Sequence, residues 1–355
     1  MILSEKERAA DKPAVKAVKG MQEISIKGKQ AFDEYIFVAP GSDYGRAMWS
    51  DIERLRNATL LESALTKTNK LIETAHHLHF SFRINRKVYV PFQGIWKPLY
   101  SLNGARLDDD KKYCVIYTDV SACRTDYDYL CSLGKKKNVT LVLVMVNTMK
   151  QRREVILKRL GCFSYIFSFD KGDAKRYGFI YHPTNYSAAA VSGGEKTLYD
   201  LFFVGVSKGR AESLGRIYEQ LSAKNVRCEF YISGVKKNEK RVEGIHYNKW
   251  LTYSEVLEKV KSSNCILEVM EQDQEGFTLR TMEAVCYNKR LLTNNSCVIS
   301  SPFYKSGFIK TFADTADIDT AFVTDRSEVD YHYDNEFSPV HLLEHINDIV
   351  LSGET

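Results

Sequence analysis

This 355-residue sequence has no apolar run long enough to cross a bilayer. Its longest, VTLVLVMV (139–146), falls far short of the ~20 residues a spanning helix needs and reads as a buried strand. No CxxC pair occurs either. The eight cysteines (114, 123, 131, 162, 228, 265, 286 and 297) are scattered, several inside runs such as YCVIY and NCILEV. There a thiol behaves as a small hydrophobe, so the expectation is a reduced chain without a disulfide framework. Charge is not strongly one-sided: Lys and Arg number 50 against 45 Asp and Glu, a net +5 that does not itself call for nucleic acid. The opening stretch, MILSEKERAADKPAVKAVKGMQ, is charged throughout and lacks the apolar centre of a signal peptide. Solenoid repeats and low-complexity segments are also missing. The expectation is a cytoplasmic chain that at most rests on the inner face of a membrane.

What is present is globular composition, 44% apolar and 12% aromatic, in a chain longer than one hydrophobic core supports, so two domains are expected. After a polar lead-in (1–33), YIFVAP, YCVIYT, VTLVLVMV and SYIFSFD read as strands. LLESALTKTNKLIETAHHLHF reads as a helix on the spacing of Leu60, Leu61, Leu65, Leu71 and Leu78. HPTNYSAAAVSGGEKT (182–197) is small, polar and glycine-containing, the most linker-like stretch of the chain. The pattern then restarts with DLFFVGV, the helix around Leu214, Ile217 and Leu221, VRCEFYIS, and a helix opened by Thr252 and Glu255 at capping-box spacing. NCILEVM, EQDQEGF, TLRTMEAVCYN, RLLTNN and the amphipathic FSPVHLLEHINDIVL follow. Strand–helix alternation at this rhythm predicts two tandem α/β units, each a parallel sheet covered on both faces. The expected boundaries are a first domain over 34–187, a linker over 188–198, a second domain over 199–336, and a closing helix and tail over 337–355.

The stretch EGFTLRTMEA (275–284) places Glu275 and Glu283 around a glycine and a helix start. In open α/β sheets ligands collect at the carboxyl ends of strands, and EQDQEGF lies between a predicted strand and a predicted helix. Gly276 lets a ligand approach the backbone, and Thr278 is the expected N-cap. The first free amides beyond it favour phosphate. A helix end is worth only about 0.3–1 kcal/mol, so a diphosphate also needs cations. Lys208 and Arg210, in the SKGR loop after DLFFVGV, and Arg280, in the first turn, supply them. Glu283 adjoins the face of Leu279, Met282 and Cys286, so it is expected to be half buried and to need donors such as ribose hydroxyls. The plainer alternative for both acids is a solvated surface.

On these residues the chain resembles GT-B glycosyltransferases, whose E-x7-E element commonly reads E-G-F-G-L-x-x-x-E-A. Glu275, Gly276, Phe277, Leu279, Glu283 and Ala284 match it. LFFVGVSKGR, with Gly205, is similar to the first strand and diphosphate loop of their donor domain. The stretch from Asp200 to about Asn295 is similar to bacterial capsule and lipopolysaccharide transferases, as is FSFDKGDAKRYGFIYHP. The resemblance implies two Rossmann-like domains around a cleft. It also implies a nucleotide-sugar donor with Glu283 on the ribose, Lys208 and Arg210 on the diphosphate and Glu275 at the donor sugar. The acceptor would be a saccharide or a lipid-linked acceptor. Thr278 and Arg280 stand where many relatives have glycine and proline, which leaves the stereochemistry open. A nucleotide-sugar epimerase of the same fold and a catalytically silent binding module are the alternatives.

For the acceptor proton, Asp43 in APGSDYGR is a candidate base, with a helix-capping turn residue as its other reading. His182 in IYHPTNY is a second candidate, with a structural histidine as its alternative. Residues 76–106 carry Arg83, Arg86, Lys87, Lys97 and Arg106 among six interleaved aromatics and no acid. Such a strip suits an anionic membrane surface, or is a domain edge whose aromatics face the core. Nucleic acid is expected not to be a partner, since no recognisable binding module accompanies the mild basicity. His76, His77 and His79 lack a completing ligand, and Asp108–Asp110 reads as a turn, so no metal or other cofactor is expected beyond the donor substrate.

Overall fold

The computed structural model describes residues 23–39, 43–85, 87–88, 90–105, 107–189, 196–270 and 276–353. Most of the expected lead-in, the middle of the expected linker and Glu275 lie outside them.

Two six-stranded parallel sheets form the molecule. The first contains β1 (Glu34–Val38), β2 (Ala58–Leu61), β3 (Tyr113–Thr118), β4 (Val139–Met145), β5 (Tyr165–Ser168) and β6 (Ile180–Tyr181), in the order β2-β1-β3-β4-β5-β6. The second contains β7 (Tyr199–Val206), β8 (Cys228–Ser233), β9 (His246–Tyr247), β10 (Ser263–Glu268), β11 (Arg290–Thr293) and β12 (Ile309–Thr311), in the order β12-β11-β10-β7-β8-β9. All six residues of YCVIYT are buried, as a strand covered on both faces requires. Counted from β7, the second order is 3-2-1-4-5-6, that of dinucleotide-binding sheets. Its switch point, where ligands bind outside the strand ends, falls between β7 and β10.

The first domain carries the helices α1 (Asp43–Met48), α2 (Lys70–His79), α3 (Phe82–Asn85), α4 (Asp119–Cys123), α5 (Tyr127–Gly134), α6 (Met149–Ile156) and α7 (Lys171–Tyr177). The second carries α8 (Ala211–Ser222), α9 (Tyr253–Lys261), α10 (Leu279–Cys286), α11 (Thr320–Thr324) and α12 (Val340–Ser352). Leu214, Ile217 and Leu221 of α8 are fully buried, each contributing about 1.5–3 kcal/mol relative to exposure. Thr252 and Glu255 form the expected capping box of α9. α12 closes back onto the first domain. Its buried Asn347 accepts hydrogen bonds from the Ala31 amide (2.9 Å) and the Tyr35 hydroxyl (2.7 Å), and Ser338 just before it donates to Asp51 (2.7 Å). One apolar cluster accordingly runs from Tyr35 and Trp49 through Met282 to Leu342 and Ile346.

Three expectations are corrected. Leu60 and Leu61 belong to β2, and the helix starts only at Lys70, capped by Asn69. Parallel pairing with β1 overrides the helical spacing. Within α2, Leu71 and Leu78 face solvent. The early half of the linker-like stretch is tightly packed, with Asn185, Tyr186 and Ser187 buried. Cys131 and Cys162 form a disulfide, their Cα atoms 4.6 Å apart. Gly134 makes this approach of α5 to the Leu157–Cys162 turn feasible, because a Cβ there would lie 2.4 Å from the Cys162 carbonyl oxygen. The other six cysteines are thiols.

Candidate functional site at the second-sheet switch point

β7 ends at Gly205 and Val206 and turns through Lys208 and Gly209, both at positive φ (45° and 85°). The exposed Lys208 is thereby projected from the loop, and space beyond Gly209 is open. α8 then begins at Ala211 with no side chain capping its first turn. This 12-residue helix directs its first amides at the switch point. Arg210 braces the crevice. Its Nε donates to the Ser207 carbonyl (3.1 Å), one Nη to Val206 (2.7 Å), and the other to Val269 beyond β10. Much of its donor capacity is thus spent joining the two loops, a role the sequence did not reveal.

On the β10 side, Gly276 has φ +108°, which only glycine adopts easily. An added Cβ would lie 3.4 Å from the Phe169 carbonyl oxygen of the first domain. The Gly276 carbonyl accepts from Asn295 (2.9 Å), and that of Phe277 from Thr184 of the connector (3.3 Å). Thr278 is the N-cap of α10, accepting from the Arg280 amide at 3.1 Å. Its hydroxyl donates to Glu268, the last residue of β10. Buried Glu268 also accepts from Thr281 (2.8 Å) and Thr293 (2.5 Å), tying β10, α10 and β11 together. This hub was missed; its signal was a glutamate ending a strand, followed by threonines three apart in the next helical turn.

Glu283 is fully buried rather than half buried, because α10 turns that face into the cluster joining the domains. Arg280 Nη2 donates to Oε1 at 2.9 Å and Nη1 lies 2.7 Å from Oε2. The Tyr253 hydroxyl is 3.1 Å from Oε1 and 2.8 Å from the Tyr186 hydroxyl, itself 3.1 Å from that of Tyr287. Among the described residues Oε2 receives no aligned hydrogen bond. Burial pushes the carboxyl up to about 7, against the opposing pull of Arg280 and Tyr253.

Asp43 begins α1, which lies against α9 of the second domain, so the backbone places it where the domains meet. His182 lines a small enclosed cavity with Trp49, Val144, Phe167 and Thr184. Its Nε2 is 3.2 Å from the Asn185 amide oxygen, and its Nδ1 is 3.2 Å from Nδ1 of His345 on α12. Burial, then the neighbouring His345, lowers it to about 4, so it is neutral at pH 7. Nε2 of His76 is taken by the Arg124 carbonyl, and both ring nitrogens of His79 by the Pro91 carbonyl and the Trp96 indole. Among the described residues no helix is long and apolar enough to cross a membrane.

The fold is the GT-B glycosyltransferase architecture: two Rossmann-like domains with a cleft between them and a closing C-terminal helix. No family model and no curated protein sequence matches the chain. Among solved structures it is similar to an alpha-glucosyltransferase in complex with UDP-glucose and DNA containing an abasic site. The identity is 12%, 89% of this chain and 98% of that one are covered, and the TM-score is 0.52. It is likewise similar to an alpha-glucosyltransferase in complex with UDP and a 13-mer DNA containing a central A:G mismatch (12% identity, 90% and 100% covered, TM-score 0.53). At this identity the likeness is one of fold. Both neighbours are nonetheless complexes with DNA, and the expectation that nucleic acid is not a partner is withdrawn on that finding.

Proposed function

We propose that the chain is a glycosyltransferase that moves a sugar from a nucleoside-diphosphate sugar to a hydroxyl carried on DNA. One observation carries the donor half: the β7–β10 switch point combines an uncapped helix start, the projected Lys208, and the glycine turn at Gly276. Diphosphate is assigned to the α8 amides, Lys208 and Arg210. The turn Gly276–Thr278 brings backbone close to the ligand. The likeness of EGFTLRTMEA assigns a ribose hydroxyl to Glu283, whose carboxylate in this structure pairs with Arg280. Glu275, next to Gly276 in the sequence, is assigned to the donor sugar.

In the transfer, the bond between the anomeric carbon and the diphosphate breaks and a bond to the acceptor oxygen forms. The acceptor's proton passes to a base. Asp43, at the domain boundary, fits that role better than His182, whose ring nitrogens are both engaged. No step here calls on a metal. The DNA half is supported by the fold likeness to two glucosyltransferases held with DNA and by the acid-free basic strip of the first domain. A saccharide acceptor, in bacterial surface polysaccharide synthesis, is the second reading, favoured by the likeness of EGFTLRTMEA to capsule-type transferases. Both similar structures are of transferases, which speaks against an epimerase.

The deciding experiment incubates the protein with a panel of nucleotide sugars and either duplex DNA bearing hydroxylated bases or saccharide acceptors. Mass spectrometry of digested DNA should show a hexose added to a nucleoside. Transfer to saccharides alone would replace the DNA acceptor with the second reading. Neither transfer nor donor hydrolysis with any sugar would end the enzyme reading.

A further inference from the structure

Between β2 and β3 the first domain carries a lobe of α2, α3 and two tight turns, Gln93–Leu99 and Ser101–Gly104. It has a small core of its own, Leu65, Phe80, Trp96 and Tyr100. Of the 14 large apolar side chains exposed among the described residues, six (Leu71, Leu78, Ile84, Val88, Phe92 and Ile95) fall in this one lobe. That concentration is not the scatter of single apolar residues any surface shows. The outward side chains sit on a braced frame. His79 accepts from the Trp96 indole (3.0 Å) and contacts the Pro91 carbonyl (2.8 Å), while Asn85 accepts from the Val90 amide (3.2 Å) and Gln93 (3.0 Å). Phe92, 79% exposed, is held at φ 63° just before the Gln93–Leu99 turn.

Past Glu73, in the first turn of α2, the charge of the lobe has one sign. No acid occurs between Glu73 and Asp108, and Lys70, Arg83 and Lys87 are exposed beside the apolar residues. Lys97 is committed to Asp126 at 3.1 Å. Cations of this kind gain from phosphates, but apolar side chains do not. On a duplex the latter gain only by reaching between bases, where an inserted wedge unstacks a step and is kept in place by surrounding phosphate contacts.

We propose that this lobe is the DNA-engaging surface, with Lys70, Arg83 and Lys87 on phosphates and Phe92, flanked by Val88 and Ile95, entering a base step. The inference rests on the DNA-acceptor reading and deepens it. The test uses the full chain, an unmodified fluorescent 20-mer duplex containing 2-aminopurine, and anisotropy at several salt concentrations. Wild type should bind with strong salt dependence and raise 2-aminopurine emission. Arg83→Ala/Lys87→Ala should weaken binding at least tenfold and lower the salt slope. Phe92→Ala should abolish most of the emission change and weaken binding several-fold, whereas Phe92→Tyr should keep both. Leu351→Ala, exposed on α12, should match wild type. DNA binding that all the lobe variants leave intact would overturn the lobe assignment alone. No DNA binding even at low salt, in a protein that UDP still stabilises against heat, would overturn both the lobe and the DNA acceptor while leaving the donor site standing. Binding to anionic phosphatidylserine vesicles but not to DNA would have the same consequence.

Discussion

Arg280 and Glu283 stand one helical turn apart at the start of α10 and form a buried ion pair, with contacts of 2.9 and 2.7 Å. The pair lies between the expected phosphate turn and the core that joins the domains. Arg280→Ala would leave the carboxylate charged without its partner, and breaking such pairs typically costs about 3 kcal/mol or more. Urea denaturation at pH 8 should show that loss, and the deficit should shrink at pH 5, where Glu283 is neutral. An equal deficit at both pH values would mean that the carboxylate is not the group left stranded.

The same carboxyl gives the fold a pH dependence. Its folded-state value, raised from 4.5 to about 7, means the native chain keeps a proton that the unfolded chain releases above about pH 4.5. Its contribution is therefore full below pH 4.5 and is lost as pH rises through 7. Glu283→Gln should flatten this part of the stability profile and weaken UDP binding about tenfold, both readable by thermal shift with and without nucleotide.

His182 and His345 act in the opposite sense. Burial lowers both, His182 to about 4, so the unfolded chain takes up protons below about 6.5 that the native chain refuses. Their contribution is present above pH 6.5 and is lost as pH falls toward 4. His345→Gln should blunt acid unfolding over that window, and hydrogen exchange should show α12 opening first. An unchanged acid limb would refute the role of this contact.

Lys208 and Arg210 should separate in their effects. Lys208 is exposed, so Lys208→Ala should lower donor affinity and transfer rate while leaving the melting temperature within a degree or two. Arg210 holds the carbonyls of Val206, Ser207 and Val269. Arg210→Ala should therefore lose stability by about 1–3 kcal/mol as well as activity. Titration with UDP alongside calorimetric unfolding checks both.

The cross-link between Cys131 and Cys162 closes a loop with a sequence separation of 31, so removing it should cost on the order of 2–4 kcal/mol. Non-reducing peptide mapping should recover the linked pair, and Cys131→Ser should lower the melting temperature. Alkylation of Cys131 and Cys162 themselves in the untreated folded protein would count against the bond.

Much of the fold could be read from the chain. The runs YCVIYT, VTLVLVMV and DLFFVGV carry strand-like apolar content, and Leu214, Ile217 and Leu221 mark one helical face. Thr252 with Glu255, and Thr278, announce helix starts at the residues where they occur. Where reading failed, the cause was a neighbour distant in sequence. Leu60 and Leu61 satisfy a helical spacing, but β1 offers them a ladder. Glu283 looked half exposed because its own helix does not show that Tyr253 and Tyr186 close over it. Glu268 carries no local signature because its hydroxyl partners come from two other elements, α10 and β11.

The alternation of strand and helix, the turn at Gly276 and the cap at Thr278 follow from the chain's own residues, because these depend on side-chain periodicity and local backbone preference. Tertiary structure alone decided the order of the strands, and with it the switch point between β7 and β10. It also decided the union of Cys131 with Cys162 and the burial of Glu283 beneath the connector. The physical reason is that an apolar face records only that it must be covered. What covers it is settled when every face in the chain competes for the same interior.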